Sequence, residues 1–573
     1  MSDQPGALRQ HIVRLTYSTL GLLLVSGASY AQSQATTGGM VAAANPLAAE
    51  AGMNVLAAGG STADAAVAVQ LMLNLVEPQS SGIGGGAFAV YWDAESQTLT
   101  TFDGRETAPA TATTDYWLDS NGEPIGFWDA ITGGRSVGVP GTLKLLETLH
   151  QRHGAMPWAE LFEPAITAAD AGFEISPRLA SSVEGSADRG LDRFETTRSY
   201  FFDADGAPKA AGTTLANPAF AETLRLIAEQ GSAPFYEGPI AQAIVEAVRT
   251  ETNPGELTLE DFANYEVIER TPVCVDYRRY EVCGMGPPSS GGLTVGQILG
   301  MLRHFDIPGI GRSPVAWHLF AEASKLAYAD RGLYMADSDF VPMPTGGLVD
   351  PFYLMVRAQQ ITLTTAIEDA RPGNPPWDET QLWAPDRQAE RAGTSHFSIV
   401  DAQGNMLSMT TTIETGFGSR VMTNGFLLNN ELTDFSFAPE ADGLPVANRV
   451  EGGKRPRSSM APTIVLEDGV PVLSIGSPGG SRIIEYVAQS VIGILDWGMT
   501  PQEAINMGHI VNRGGATDLE EGTEAEELAD VLEDLGHEIN VRGLESGLHA
   551  IQVTPDGLLG GADPRREGVA LGG

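Results

Sequence analysis

Side-chain character alternates along the stretch TSHFSIV, which predicts a β-strand that begins at Thr394. A turn sequence with Gly404 follows, and a second strand pattern continues to Thr412. A three-residue hairpin loop with Gly404 in the left-handed region pairs Asp401 with Asn405. The same register places Thr412 opposite Thr394, so the pattern predicts that two threonine hydroxyl groups meet, provided that no bulge shifts the pairing.

Two helices are predicted near the start of the chain. Asn45 and Pro46 are typical of a helix start, and the alanine-rich sequence after them ends at a Gly-Gly pair. Ser61 with Asp64 is the capping pattern of a second helix that runs towards Leu75.

Further strand patterns occupy residues 87–92 and 98–102. The glycine-rich run SSGIGGGAF has a helix pattern before it and a strand after it, the reverse of a dinucleotide-binding fingerprint, so nucleotide binding is excluded. Residues 115–390 indicate alternating helices and loops, with an amphipathic helix at 315–330. The polar, proline-containing segment 371–391 is typical of an exposed stretch.

The first residues of the chain have the layout of a secretory signal. Arg9 and Arg14 precede an apolar run at residues 15–25, and the sequence Ser-Tyr-Ala ends at Ala31. We expect residues 1–31 to be removed and the protein to be exported, to the periplasm or outside the cell. An uncleaved anchor is the alternative, although the run is short for a membrane span.

The composition is that of a globular protein, but the charge is unusual. Of the 573 residues, 42% are hydrophobic, while 73 acidic residues face 34 basic ones, for a net charge of −39. A field of this sign repels nucleic acid and anionic membranes, so we exclude both as partners.

Two cysteines lie in the stretch PVCVDYRRYEVCG, which has the pattern of a hairpin. With Arg278 and Arg279 as a two-residue loop, Cys274 falls opposite Cys283 at a spacing that a disulfide can bridge. Export favours the oxidised form. Because Arg-Arg is a poor two-residue turn, two buried thiols are the alternative.

A threonine hydroxyl needs a base before it becomes a good nucleophile, and no His-Asp pair is evident near Thr394. If the Gly393–Thr394 bond is cut, the new α-amino group, with a pKa of about 7.7–8.0, can act as that base. Gly393 suits such a cleavage because glycine adopts strained backbone geometries easily. Taken alone, the Thr-Ser pair is equally the start of an ordinary strand.

Several motifs lie on the two sides of the Gly393–Thr394 bond. After it come GTSHFSIVD, TTTIETGFGS, GFLLNNELTDFS, GGKRPRSSMAPTIV and GSPGGSRII, and before it SSGIGGGAF, FDGRETAP and PPSSGGLTVGQIL. In order and spacing these motifs resemble the γ-glutamyltransferases (glutathione hydrolases), which are self-cleaving N-terminal nucleophile hydrolases. The resemblance covers nearly everything after about residue 38.

This resemblance implies a catalytic set. Thr394 becomes the nucleophile after cleavage at Gly393–Thr394, and Thr412 orients it through a hydroxyl hydrogen bond. Gly479 and Gly480 supply backbone N–H groups to the oxyanion, and each such donor lowers a barrier by about 3 kcal/mol. His396, although close in sequence, is expected to be structural, and His304 and His318 to do no chemistry.

The resemblance also implies a clamp for the zwitterionic end of a γ-glutamyl group, since a guanidinium grips a carboxylate with two parallel bonds and two carboxylates suit one ammonium. Arg105 with Ser458 and Ser459 would hold the α-carboxylate. The α-ammonium would be bound by Glu414, Glu431 and Asp434.

Two features depart from the family pattern. The loop between Asp434 and Ser458 is short and has no aromatic residue after Phe437, whereas some bacterial members carry a longer lid with a tyrosine. We therefore expect a more open donor pocket. Arg457 replaces a common leucine, and either adds to carboxylate binding or points outward.

The resemblance implies an α/β fold, a four-layer αββα sandwich that is self-cleaved into a large subunit (residues 32–393) and a small subunit (394–573), which stay together as a heterodimer. It implies no cofactor and no metal. The substrates would be glutathione and other γ-glutamyl compounds, with water, amino acids or dipeptides as acceptors. The alternatives are an acylase of the same fold that acts on cephalosporins or poly-γ-glutamate, and an exported binding protein that never cleaves itself.

Overall fold

The fold was taken from a computed structural model, which describes residues 35–379, 382–386, 391 and 393–573. The predicted signal peptide, and part of the predicted exposed segment before Gly393, lie outside the described residues. Within the described part of the chain, no helix is long and apolar enough to cross a membrane.

Two large antiparallel sheets form the centre of this mixed α/β fold. The first has seven strands, in the spatial order Val569–Gly572, Met40–Ala43, Thr394–Val400, Met406–Thr412, Gly86–Asp93, Thr98–Gly104 and Ile268–Arg270. The second has six strands, in the order Gly557–Ala562, His549–Thr554, Val470–Gly476, Thr463–Glu467, Tyr280–Gly284 and Val273–Tyr277.

Smaller strands complete the sheet structure of the described residues. They form a three-stranded sheet and three two-stranded ribbons, with the bounds Ile510–Val511, Thr517–Glu520 and Ile539–Arg542; Met422–Thr423 and Phe426–Leu427; Glu440–Ala441 and Leu444–Pro445; Phe173–Glu174 and Thr214–Leu215.

The α-helices fall mainly between the strands of residues 40–104 and those of 268–284, and again after each of the later strand groups. Their bounds are Pro46–Ala57, Thr62–Val76, Phe127–Ile131, Thr142–His153, Glu163–Ala171, Pro177–Ser186, Glu195–Phe201, Pro218–Gln230, Ala233–Tyr236, Pro239–Ala247, Leu259–Ala263, Gly291–Leu302, Ile307–Ile310, Pro314–Tyr334, Thr345–Leu348, Pro351–Ala358, Ile483–Leu495, Pro501–Ile505 and Ala529–Asp534. Short 3₁₀ turns span Gly134–Ser136, Trp158–Phe162, Glu431–Asp434, Gly480–Arg482 and Glu526–Leu528, and a π-turn spans Ala187–Leu191.

The two large sheets share a buried apolar cluster, to which the first contributes Val90 and Val400 and the second Ile464 and Ile551. Alternate residues of the strand Thr394–Val400, such as Ile399, instead belong to an apolar cluster that includes the first two helices. The period-two alternation of the strands therefore sends one set of side chains between the sheets and the other set towards helices.

The predicted caps of the first two helices are confirmed. The side chain of Asn45 accepts from the Leu47 N–H, and Ser61 with Asp64 forms a reciprocal capping box. These local signals lie within four residues of the groups they satisfy, which is why sequence alone identifies them.

The predicted amphipathic helix at 315–330 is present, as Pro314–Tyr334, but its amphipathic character is wrong. Nearly every side chain is buried, including those of Glu322 and Lys325. The ammonium of Lys325 lies 2.8 Å from a carboxylate oxygen of Glu322, so the two charges neutralise each other inside the protein.

The cysteine hairpin has the predicted register, with Cys274 opposite Cys283 and Tyr277 opposite Tyr280. A disulfide bond joins the two cysteines. Arg278 takes up a left-handed conformation with φ +58°, which allows the two-residue turn despite the unfavourable sequence.

Replacing both cysteines by alanine is expected to lower the free energy of unfolding by about 2–3 kcal/mol, because the crosslink closes a short loop in the unfolded chain. Activity is expected to stay unchanged, since the hairpin forms an edge of the second sheet. Urea unfolding of the double variant and of the native protein, each with and without reductant, measures the difference. Equal midpoints under all conditions would contradict it.

Candidate active site

Four neighbouring strands of the seven-stranded sheet bring the predicted residues to one edge. Thr412 lies opposite Thr394 on one side and opposite Gly86 on the other. The strand Thr98–Gly104 pairs with the strand Gly86–Asp93, and its last residue, Gly104, lies opposite Ala87. Arg105 therefore leaves the sheet at the same end as Thr412. Residues from three distant parts of the sequence therefore meet here because of strand register.

The register predicted for the nucleophile hairpin is confirmed. Gly404 has φ +87°, and the N–H of Asp401 donates to the carbonyl of Asn405 over 3.1 Å. The hydroxyl oxygens of Thr394 and Thr412 are 3.2 Å apart, and no bulge interrupts the pairing.

Thr412 also contacts the peptide bond that precedes Thr394. Its hydroxyl donates to the carbonyl oxygen of Gly393 over 2.9 Å and accepts from the Glu414 N–H over 2.8 Å. A donor on that carbonyl withdraws electron density from the carbon that the Thr394 hydroxyl would attack. A side chain at position 393 would overlap the carbonyl oxygen of Glu414, so the space at this position admits only glycine.

A small cavity adjoins Thr394, and most of the predicted residues line it. These are Arg105, Thr394, Thr412, Glu414, Glu431, Asp434, Ser458, Ser459 and Gly480. Gly479 directly precedes the last of them. Residues on both sides of the predicted cleavage point thus contribute to a single cavity.

Arg105 is buried and forms ion pairs with two of the three acids predicted to bind an ammonium group. One guanidinium nitrogen contacts a carboxylate oxygen of Glu431, and the other lies 2.6 Å from Asp434. The second nitrogen also donates to the carbonyl oxygen of Arg457 over 2.8 Å. The guanidinium is therefore fixed in position at the base of the cavity.

The carboxylates of Glu106, Glu431 and Asp434 act on this single guanidinium, and Glu414 lies near Asp434; burial changes the protonation of the three glutamates. Burial raises the pKa of Glu106 to about 8, and raises the pKa values of Glu414 and Glu431 well above the ordinary range. Nearby Asp434 adds to the rise at Glu414 because two negative charges repel each other. The cavity thus has an excess of acidic groups that a bound cation would neutralise.

Glu414 is held in an unusual backbone conformation. It has φ +76°, which is rare for a residue with a side chain, and its carboxylate accepts from the Asn430 amide over 2.7 Å. Positive φ in a buried acidic residue is typical of functional sites, where surrounding contacts maintain the strain.

The serines beside the cavity are positioned by a network that the sequence did not reveal. The backbone of Ser458 pairs with Ser289 and Ser290, and its hydroxyl accepts from the Met460 N–H. Buried Arg331 donates to the Ser459 hydroxyl over 2.7 Å and to Ser290 over 2.8 Å. The PPSSGG motif therefore shapes this wall of the cavity.

Gly479 and Gly480 both adopt positive φ, +142° and +61°, immediately before the helix Ile483–Leu495. A side chain on Gly479 would contact the ring of Tyr486 at 2.6 Å. Positive φ at both positions, and the ring of Tyr486 beside Gly479, therefore favour glycine here. The backbone of Gly480 lines the same cavity as Thr394.

His396 makes contacts that fit the expected structural role. It is fully buried, and its ring nitrogens lie 2.9 Å from the Thr410 hydroxyl and 3.2 Å from that of Ser398. Burial lowers its pKa well below the ordinary value, so the ring is neutral. Its polar contacts within the described chain leave Thr394 untouched.

Arg457 does not point outward, which excludes one of the two alternatives left open by the sequence. Its side chain is buried and its guanidinium lies 3.0 Å from the carboxylate of Asp386. Asn448 donates to the same carboxylate over 3.0 Å. Arg457 therefore binds the segment that precedes the cleavage point.

The short loop between Asp434 and Ser458 packs on the same segment. The N–H of Ala384 donates to the carbonyl of Pro445 over 2.9 Å. Phe437, the last aromatic residue of the loop, stacks on Trp117 with ring centres 4.9 Å apart.

Arg566 was not predicted from the sequence, although it contacts Thr394, the predicted nucleophile. Its guanidinium donates to the carbonyl oxygen of Thr394 over 2.7 Å. It lies 172 positions away in the sequence, in the motif-poor stretch near the end of the chain, and no local signal distinguishes it.

One buried group of metal-type ligands lies elsewhere among the described residues, at His318, Glu322 and His537. Its members contact one another and their surroundings: Nδ1 of His318 lies 2.8 Å from Nε2 of His537, His318 donates to the carbonyl of Thr362, and Lys325 pairs with Glu322. This network has the contacts of a buried structural cluster.

Comparison with known proteins identifies the family of the chain. The family profile described as gamma-glutamyltranspeptidase matches residues 48–573. A glutathione hydrolase proenzyme of Bacillus subtilis (strain 168) is 37% identical over 95% of this chain and 93% of its own.

Two solved structures have a similar fold. A cephalosporin acylase from Bacillus halodurans superposes with a TM-score of 0.82 at 27% identity, covering 96% of this chain and 99% of its own. A γ-glutamyltranspeptidase chain from Helicobacter pylori has a TM-score of 0.55 at 33% identity, covering 63% of this chain and 97% of its own. With the profile spanning most of the sequence, this chain belongs to the γ-glutamyltranspeptidase family.

Proposed function

We propose that this protein is a glutathione hydrolase and γ-glutamyltransferase whose nucleophile is Thr394. The observation that carries the proposal is the shared cavity, in which Arg105, Glu431 and Asp434 adjoin the threonine dyad. One cation and several carboxylates at one end suit the zwitterionic end of a γ-glutamyl group. The named B. subtilis relative supports the same activity.

Maturation would begin at the intact Gly393–Thr394 bond. The Thr394 hydroxyl attacks the Gly393 carbonyl carbon while the hydroxyl of Thr412 stabilises the oxygen. The peptide bond becomes an ester, and water hydrolyses it to leave a free α-amine on Thr394. Residues 32–393 and 394–573 then form the large and small subunits of a heterodimer.

Catalysis would follow in two steps. The α-amine of Thr394 takes the proton of its own hydroxyl, which attacks the γ-carbonyl and expels the amine portion, such as cysteinylglycine from glutathione. Backbone N–H groups of Gly479 and Gly480 hold the oxyanion. Water or an acceptor amine then removes the γ-glutamyl group from Thr394.

Binding of the substrate end would use the clamp. The α-carboxylate reaches Arg105 and the hydroxyls of Ser458 and Ser459, and the α-ammonium reaches Glu414, Glu431 and Asp434. The incoming ammonium favours ionisation of the acidic groups that burial has kept protonated. These roles require the α-carboxylate of the substrate to share Arg105 with Glu431 and Asp434, which contact Arg105 in the uncut chain.

Ligand binding is therefore expected to release protons at neutral pH. Because a bound ammonium favours ionised Glu414 and Glu431, the affinity for L-glutamate should rise with pH between about 6 and 8. Calorimetry of the mature enzyme in buffers of different ionisation enthalpy measures the released protons. Glutarate, which lacks the ammonium, is the matched control; identical apparent enthalpies for L-glutamate in every buffer would contradict the expectation.

The layers of the fold are part of the proposal. Helices packed with the outer residues of each sheet, and a shared cluster between the sheets, support a four-layer αββα sandwich.

The N-terminal pattern of Arg9, Arg14 and the apolar run supports export before the enzyme acts.

An acylase with cephalosporin substrates is the second candidate, because the B. halodurans acylase is similar in fold. A glutaryl side chain has no α-ammonium, and it would leave the acids around Arg105 without a cation. Glutathione and a glutaryl cephalosporin at equal concentration separate the two functions. We expect kcat/KM to favour glutathione by about 100-fold or more, as for unpaired buried charges; a preference for the glutaryl compound would overturn the proposed function.

A further inference from the structure

A second, larger cavity lies beside the scissile peptide. It has a volume of about 420 Å³, within the range that small-molecule sites occupy. Gly393, Thr415 and Gly416 are part of its wall, so it begins where the cavity that contains Thr394 ends. Cleavage of the Gly393–Thr394 bond would separate the two residues at this boundary.

The charge of this cavity opposes that of the whole protein. Five arginines line it, Arg178, Arg189, Arg391, Arg420 and Arg566, against one acid, Glu545. Glu545 is already used twice, since it forms ion pairs with both Arg178 and Arg566. In a chain with a net charge of −39, this cavity is strongly positive.

Arg420 is the clearest sign of a missing anion. Its side chain is buried, it lies in the left-handed region at φ +68°, and its Nε has no hydrogen-bond partner among the described residues. One of its terminal nitrogens donates to the hydroxyl of Thr415 over 3.1 Å. No carboxylate of the described chain lies at ion-pair distance from it. A buried cation without a counter-charge is costly unless a ligand supplies one.

Arg189 provides a second cation without a carboxylate at ion-pair distance in the described part of the chain. Its guanidinium lies over the ring of Trp128, 5.1 Å from the centroid, and its side chain reaches the solvent. Stacking on an aromatic ring fixes the orientation of the guanidinium but leaves its charge uncompensated.

The position of the cavity assigns it to the amine portion of a substrate. Arg566 lines it and also donates to the carbonyl of Thr394, so its wall is one residue from the nucleophile. The γ-glutamyl end would fill the cavity with Arg105. The amine portion of the substrate, beyond the scissile amide, must then lie outside the cavity with Arg105. An acceptor amine must reach Thr394 through the space that the leaving amine has vacated.

We propose that this arginine-lined cavity binds carboxylates of the leaving or accepting amine, and that it gives the enzyme a preference for anionic amino acids or peptides on that side. The inference rests on the proposed function and names its substrate class more closely. γ-Glutamyl-glutamate, whose amine portion carries two carboxylates, represents the preferred class. γ-Glutamyl-glutamine has nearly the same shape and one charge fewer.

The test compares kcat/KM for these two dipeptides and for γ-glutamyl-p-nitroanilide, whose leaving amine is uncharged. We expect the native enzyme to favour γ-glutamyl-glutamate over γ-glutamyl-glutamine by about tenfold, and added salt to reduce that ratio. Arg189→Gln and Arg420→Gln should bring the ratio towards one and leave anilide hydrolysis within about twofold. Arg225→Gln, an exposed arginine that pairs with Asp170 away from the cavity lining, is the matched control and should keep the ratio.

If the native kcat/KM ratio of γ-glutamyl-glutamate to γ-glutamyl-glutamine is one, or if Arg189→Gln leaves it unchanged, the proposed anion-binding site is wrong. Anilide hydrolysis by the same native enzyme would still support the proposed function. Failure of the mature native enzyme to hydrolyse the anilide would overturn both. Arg189 is exposed, so its replacement is the safer variant for folding; if Arg420→Gln lowers all three rates together, Arg189→Gln decides the matter.

Discussion

Replacing Thr394 by alanine is expected to leave the chain uncut and to abolish activity. The variant lacks the hydroxyl that attacks the Gly393 carbonyl and, later, the γ-carbonyl. A denaturing gel should then show a single chain near 60.5 kDa, or slightly less after removal of the signal. Hydrolysis of γ-glutamyl-p-nitroanilide should fall by a factor on the order of 10⁴ or more, as when other nucleophiles are removed.

The matched control is Thr394→Ser, which keeps a hydroxyl group at the same atom. It should still give two fragments and measurable hydrolysis, both more slowly than the native chain. Cleavage of the Thr394→Ala chain at residue 393, or anilide hydrolysis by it at the native rate, would contradict the account.

Replacing Arg105 by lysine is expected to lower kcat/KM for γ-glutamyl compounds by about 100-fold or more. Lysine keeps the charge but loses the planar fork that contacts Glu431 and Asp434 together. Breaking a buried pair of this kind costs about 3–5 kcal/mol. The measurement is anilide hydrolysis by protein that a gel has shown to be fully cleaved, so that a failure of maturation is not mistaken for a loss of binding.

Arg152→Lys is the control for that substitution, because Arg152 pairs with Glu269 at the surface. An exposed pair of this type contributes about 0–1 kcal/mol, so the control should keep native kinetics. Arg105→Lys with a native kcat/KM would mean that Arg105 does not hold the substrate.

Local signals allowed the hairpin at Thr394 to be predicted from sequence. A three-residue turn with one left-handed glycine fixes the pairing of every following residue, so Gly404 alone places Thr412 opposite Thr394. Helix caps are equally local. The sheet order is not, since the strands Met40–Ala43 and Val569–Gly572 pair across almost the whole chain.

The site residues that lie far apart in the sequence were predicted from the resemblance to the γ-glutamyltransferases, and not from the spacing of residues along the chain. Nothing in the spacing of Arg105, Glu431 and Asp434 indicates that they meet, and only the family motifs suggested it. Arg331 and Arg566, which share no quoted motif with the residues they support, were missed. Both act through contacts more than a hundred positions away in sequence, which a pass along the chain does not detect.

Burial was the property that sequence predicted least well. For Arg457 an outward orientation was one of two alternatives, and the helix Pro314–Tyr334 was expected to be amphipathic, but both are buried. In each case a partner carboxylate, Asp386 or Glu322, offsets the cost of burial. A charged side chain predicts exposure only when no partner is near in space, and that information is absent from local sequence.

The central claim is that the γ-glutamyl group is carried on the hydroxyl of an N-terminal Thr394. Mass spectrometry of the mature enzyme, quenched with acid during turnover of a γ-glutamyl donor, tests it directly. The account predicts that the small-subunit peptide beginning at Thr394 gains one γ-glutamyl group in ester linkage. An adduct on another residue, or an active enzyme whose small subunit does not begin at Thr394, would contradict it.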